Sequence, residues 1–273
     1  MKKTFFLILS LIQFAAYAQH SIAPLWDSEP VFKFAEGIIY EPNGTFLYVA
    51  NTIGNPMGRD GEGTISKVTL DGKLIQFDWI KGLNAPKDIE VFGNRMYIAD
   101  LDELVVVDTD KAEIIKKIKI EDTRLLHNIS VDKQGVVYVG DMFGGIVYKV
   151  VNDVATKYLE GYPSLAGLLC DGDDLYFMSN GKVYKSDKNK TITTITEGLL
   201  PQVCSLVKIK VSEFIATCWV GTMYYITADG KNQLLQDTRK EQLTNGLMYY
   251  DKAKNILYMT TDAKDIIKTY TVK

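Results

Sequence analysis

The chain has 273 residues, of which 47% are hydrophobic, 24% charged and 11% aromatic, with a formal net charge of −3. The small, mixed charge lacks the basic stripe of a nucleic-acid surface, and the length suits one all-β domain or two smaller ones. Three cysteines, Cys170, Cys204 and Cys218, allow one intramolecular bridge at most and leave a thiol over.

The start reads as a targeting segment. Lys2 and Lys3 precede an apolar run over residues 5–14, and Ala16-Tyr17-Ala18 is a small-x-small cleavage site. A signal peptide over residues 1–18 predicts that a single mature domain begins at Gln19. It also predicts export, to a bacterial periplasm or beyond. No later stretch approaches the roughly 18 uncharged apolar residues of a membrane helix, so no span is expected after cleavage.

A strand pair then recurs along the chain. Its copies are EGIIYEPNGTFLYVAN (36–51), KDIEVFGNRMYIAD (87–100), HNISVDKQGVVYVGD (127–141), AGLLCDGDDLYFMSN (166–180), CSLVKIKVSEFIATC (204–218) and NGLMYYDKAKNILYMTTD (245–262). A period of roughly 40 residues built from short strands predicts a β-propeller, one four-stranded sheet per blade. Each copy supplies the two inner strands and the intervals supply the outer two. Asp71-Gly72, Asn152-Asp153 and Asp229-Gly230 mark the outer hairpins. Six copies need six outermost strands, and the chain ends one short. Residues 23–34 contain the missing one; the pattern over residues 31–34 predicts that it pairs with the C-terminal strand and closes the ring.

Antiparallel order places the start of each inner strand on one face of the disc. Glu36, Lys87, His127, Ala166, Cys204 and Asn245 should ring a funnel there, with Asn51, Asp100, Asp141, Asn180, Cys218 and Asp262 close by. Variable residues on a repetitive frame are where binding function usually lives. A Gly-rich insertion over residues 52–63 lies on the same face and brings Met57 and Arg59 towards the funnel. Cys204 and Cys218 lie at one end of neighbouring strands, which suggests a cross-strand disulfide.

These blade phrases resemble the family of gluconolactonases, senescence marker protein and luciferin-regenerating enzyme. They also occur in other six-bladed propellers. The resemblance implies a lactonase-type funnel in which oxygen ligands hold a divalent cation, often calcium, that polarises a carbonyl; a transition metal such as zinc on Glu36, His127 and Cys204 is the alternative that these residue types allow. Glu36 matches the family's ligand Glu, and Asn245 before Gly246 looks like a ligand pair, though in the sixth blade. The chain departs elsewhere: His127-Asn128, Ala166 and Cys204 stand where the family has Asn or Asp.

Three readings follow. In the first, a monomeric propeller binds a small sugar-like or lactone ligand, or a protein partner, in its funnel without the family's usual metal. Glu36, Lys87, His127, Asp141, Asn180, Asn245 and Arg59 are its candidate binding residues. In the second, the chain hydrolyses a lactone or ester, with Glu36 and His127 catalytic and His127 as general base. In the third, it is an interaction propeller that binds through its blade sides.

Overall fold

Turn chemistry divides the chain into short antiparallel hairpins. Asn152 and Asp153 both adopt positive φ (49° and 65°), as do Asn180 and Gly181 (47° and 72°), so each pair forms a tight two-residue connection. Between these turns the residues alternate or run apolar. In the computed structural model, which describes residues 20–273, they form six four-stranded antiparallel sheets. Blade one consists of Ala35–Tyr40, Phe46–Asn51, Gly63–Thr69 and Leu74–Leu83. Blade two begins at Pro86–Phe92, blade three at Leu126–Val131, blade four at Ala166–Asp171 and blade five at Val203–Lys210, each followed by its three partners in sequence order.

The sixth blade takes Met248–Asp251, Ile256–Thr261 and Ile266–Val272 from the C-terminus and its outermost strand from the N-terminus. The ring is therefore closed by the expected segment, residues 23–34, but through its first residues and not through residues 31–34. The closing strand is Ile22–Asp27, with Ile22 opposite Val272 and Ala23 opposite Thr271. Residues 31–34 do not pair as a strand. Their apolar pattern has another cause: Phe32 is fully buried in the seam between blades six and one, against Leu47, Val49, Tyr258 and Ile267. Asp265 fixes this turn by accepting from the Phe34 N–H (2.6 Å). Trp26 of the closing strand lies across Gly72 in blade one, where an added Cβ would come within 2.5 Å of the indole.

The core is a set of seams between neighbouring blades, because each sheet is apolar on both faces. Tyr48, Ala50 and Ile65 of blade one pack on Ile89, Met96 and Val105 of blade two. Equivalent clusters fill the other interfaces. The innermost strands touch their neighbours in turn round the whole circle. Among the described residues, no helix is long and apolar enough to cross a membrane. The expected signal peptide falls outside the described residues.

Phe32 carries the closure seam, so Phe32→Ala should lower the unfolding free energy by about 3–5 kcal/mol, whereas Val31→Ala should cost under about 1.5 kcal/mol. Urea denaturation of the two variants checks this; equal losses would mean that residues 31–34 act as a paired strand.

Candidate functional site

The residues that ring the axis are aimed by irregularities in their strands. The inner strands of the first five blades each slip register at their entrance: between Ala35 and Ile38, Pro86 and Ile89, Leu126 and Asn128, Ala166 and Leu169, and Val203 and Ser205. A slip of this kind turns a side chain away from the pleat and is common beside binding sites. Four of the six predicted ring residues meet here. Glu36, Lys87, His127 and Cys204 line one cavity of about 380 Å³, joined by Ser164 and Gln202.

Glu36 and Lys87 form a buried ion pair, Nζ to Oε1 3.3 Å. Lys87 also donates to Thr52 Oγ1 (3.4 Å) and lies over the Phe34 ring. Burial pushes the Glu36 carboxyl up to about 7; the Lys87 charge opposes that shift, and Asp262 adds to it. His127 is held neutral, its pKa lowered to about 4 by burial and then by the Lys87 charge. Its tautomer follows from its neighbour. Asn128 Nδ2 faces the Cys204 carbonyl (3.2 Å), which can only accept, so Asn128 Oδ1 is the atom that meets His127 Nδ1 (3.0 Å). Nδ1 therefore carries the proton and Nε2 is an acceptor.

The other predicted residues have different roles. Asp141 accepts from the backbone N–H groups of Arg124, Leu125 and Gly144, all at 3.0 Å. Asp100 does the same for Asn84 (2.8 Å) and Ala85 (2.6 Å). These carboxylates clasp the loop that enters their own blade. Asn180 is exposed and lies one position past its strand, in a two-residue turn with the buried Gly181; it does not line the cavity. Asn245 is buried and donates to the Thr222 carbonyl (2.9 Å), also away from the cavity. Arg59 pairs with Asp102 of blade two, which Lys119 also binds, and so ties the 52–63 loop down while Pro56 and Met57 overhang the cavity.

The proposed disulfide is corrected by the register. Val203, not Cys204, lies opposite Cys218, and the slip at Cys204 turns that side chain to the cavity. Cys218 Sγ instead faces the Leu200 carbonyl within the seam of blades four and five (3.2 Å), and all three cysteines are free thiols.

The cavity mouth was not legible in the sequence. Phe34, Leu125, Met142, Phe143 and Trp219 surround it. Met57, Phe143 and Trp219 are 45%, 54% and 45% exposed, large values for apolar side chains that converge on one opening. Trp219 is held in place by its indole N–H, which donates to Asp262 (2.9 Å). The one weak signal was position: Met142, Phe143 and Trp219 directly follow strands that end in predicted second-ring residues.

The residues present do not fit the metal that the resemblance implies. Among the described residues no group of three His, Cys, Asp or Glu converges to hold an ion. Glu36 already faces an ammonium group, and Asn245 is turned away from it. Ala166 offers no ligand atom, and a thiol is a poor ligand for a hard cation.

Beyond the ring, the inner strands line a second cavity of about 240 Å³ further along the axis. Asp88 and Glu90 enter it from one strand. Asp88 accepts from the Ile129 N–H (3.1 Å) and the Ile89 N–H (2.9 Å). Burial raises Asp88 to about 7, and burial together with Asp88 raises Glu90 to about 8.

No protein-family model matches the chain, and no curated protein matches it in sequence. Solved structures do share the fold. A catalytically inactive virginiamycin B lyase from Staphylococcus aureus with quinupristin is 12% identical, with a TM-score of 0.65 over 93% of this chain and 99% of that one. A streptogramin B lyase is 13% identical, with a TM-score of 0.65 over 93% and 98%. An auxiliary nutrient binding protein from Bacteroides thetaiotaomicron is 11% identical, with a TM-score of 0.70 over 93% and 76%. At these identities the likeness concerns the fold alone.

The axial acids set a pH dependence. Glu36, Asp88 and Glu90 hold protons in the fold at pH values where the unfolded chain has released them. Their stabilisation is present below the ordinary carboxylate range and is lost as pH rises through 7 to 8. His127 acts oppositely, its contribution being lost as pH falls from 6.5 towards 4. With three groups against one, the melting temperature should be higher at pH 5.5 than at pH 8, by on the order of 5 °C. Glu90→Gln should reduce that difference. Calorimetry at the two pH values checks both statements, and a flat profile in the parent chain would contradict them.

Proposed function

We propose that this chain is an exported propeller that binds a small sugar-like or lactone ligand in its funnel, without a resident metal. The observation that carries this reading is the convergence of Glu36, Lys87, His127 and Cys204, from four blades, on a cavity of about 380 Å³ beneath an apolar mouth. That volume lies in the range of small-molecule sites, and the mixture of an apolar wall with a few directed polar groups is their usual composition. The shared fold with a nutrient binding protein and with lyases is consistent with a ligand in the funnel.

Lactone or ester hydrolysis is the second reading, favoured by the fixed tautomer that leaves His127 Nε2 unprotonated. The lowered pKa makes His127 a weak base at neutral pH, which weighs towards binding without turnover.

A ligand at about ten times its dissociation constant should raise the melting temperature by roughly 3–5 °C. A thermal-shift screen of the metal-stripped chain against lactones, sugars and aldonic acids should find such ligands, with no further shift on adding calcium, manganese or zinc. Hydrolysis of a bound lactone that is lost in His127→Ala would establish the second reading instead. A shift with a divalent ion that disappears in Glu36→Ala would restore a metal site.

A further inference from the structure

The funnel floor and mouth together specify what kind of molecule fits; the inference rests on the reading that the funnel is a small-ligand site and replaces the sugar-like or lactone ligand with a different class. The floor is electrically balanced before anything enters. Above about pH 7, where Glu36 is ionised, Lys87 supplies a cation and Glu36, 3.3 Å away, neutralises it. An anionic ligand would meet the Glu36 carboxylate beside Lys87, and a cationic ligand would meet the Lys87 charge. A neutral head group disturbs neither.

The hydrogen-bonding pattern narrows the head group further. His127 Nε2 is an acceptor, because Nδ1 carries the proton and donates it in a hydrogen bond to Asn128 Oδ1 (3.0 Å). The head must therefore donate. Lys87 has three N–H donors, and Glu36 and Thr52 take two. The head must therefore also accept. One neutral group that donates and accepts at a single atom is a hydroxyl. Above this floor the wall is apolar, and Trp219 is presented as a fixed aromatic surface by its bond to Asp262, with Phe143 and Met57 beside it. Fixed aromatic surfaces favour a planar apolar body.

We propose that the funnel takes a neutral ligand with a planar apolar body and a terminal hydroxyl, of the phenol class. The body lies among Trp219, Phe143 and Met57, and the hydroxyl donates to His127 Nε2 and accepts from Lys87.

The test is titration calorimetry of the full chain at pH 8, where Glu36 is ionised, with probes of one size: para-propylphenol, para-propylanisole and para-propylbenzoate, with gluconolactone as a polar control. The phenol should bind about tenfold more tightly than the ether, since the ether leaves the buried His127 acceptor without a donor. It should also exceed the benzoate by at least that factor. Trp219→Ala, a rim substitution that leaves the core intact, should weaken all three aromatic probes together. His127→Leu should bring the phenol and the ether to equal affinity while both still bind. Equal affinities for phenol and ether in the parent chain, or tightest binding of the benzoate, would overturn the proposal. Binding of gluconolactone with no aromatic probe bound would overturn it while leaving the small-ligand reading intact. Failure of every probe, together with an empty thermal-shift screen, would remove both.

Discussion

Everything at the centre of this molecule depends on the closure of a ring. Six sheets, each apolar on both faces, bury themselves only by packing on two neighbours, and the last seam forms only if blade six meets blade one. Ile22–Asp27 completes blade six by pairing with Ile266–Val272, and Phe32 fills the seam beside it. Its edge position also explains why Pro24 is tolerated there, since an outermost strand needs N–H groups on one side only. Once the circle is complete, the entrances of the inner strands have nowhere to face but each other. Residues up to 185 positions apart, Phe34 and Trp219, become walls of one cavity.

That convergence has an electrostatic consequence. Polar groups at the axis are stripped of water on all sides at once, so desolvation is the leading influence on Glu36, Asp88, Glu90 and His127 alike. It pushes the acids up and the base down, and both shifts favour the neutral form. The attraction of Lys87 does not reverse this for Glu36. A buried ion pair whose carboxylate rises to about 7 contributes little net stability, as expected where dehydration and Coulomb attraction nearly cancel. What the pair contributes above about pH 7 is a polar floor without net charge, and the neutral His127 beside it extends the same character.

The repeat was legible because it is written locally. Alternating runs and Asx-Gly turns recur near a fixed period, and short hairpins fold by nearest neighbours. Four of six ring residues were legible for the same reason, since the repeat alone defines their position. What failed needed distant information. Residues 31–34 have a strand's apolar pattern because Phe32 packs in a seam, while the true closing strand has an edge strand's half-exposed pattern and looked weaker. Cys204 and Cys218 seemed to face each other because the sequence does not display a register slip. The aromatic mouth gave no periodic signal at all: Phe143 and Trp219 are single residues in turns, made significant only by which blades stand opposite.

The clasp carboxylates sharpen this point. Asp100 and Asp141 end their strands as a second ring of acids would, and a sequence reading takes them for site residues with equal justification. Yet each spends its oxygens on backbone N–H groups of the loop that enters its own blade. The ring residues differ from them by a register slip, which frees a side chain from the pleat and the ladder. Asn180 and Asn245 fail to reach the cavity, one lying past its strand in a two-residue turn and the other bonded to the Thr222 carbonyl. In this propeller, then, polarity at a strand end is the common condition and mostly holds loops. The distinguishing mark of the site is the interruption of regular pairing beside an apolar wall, and that combination exists only once the ring has closed.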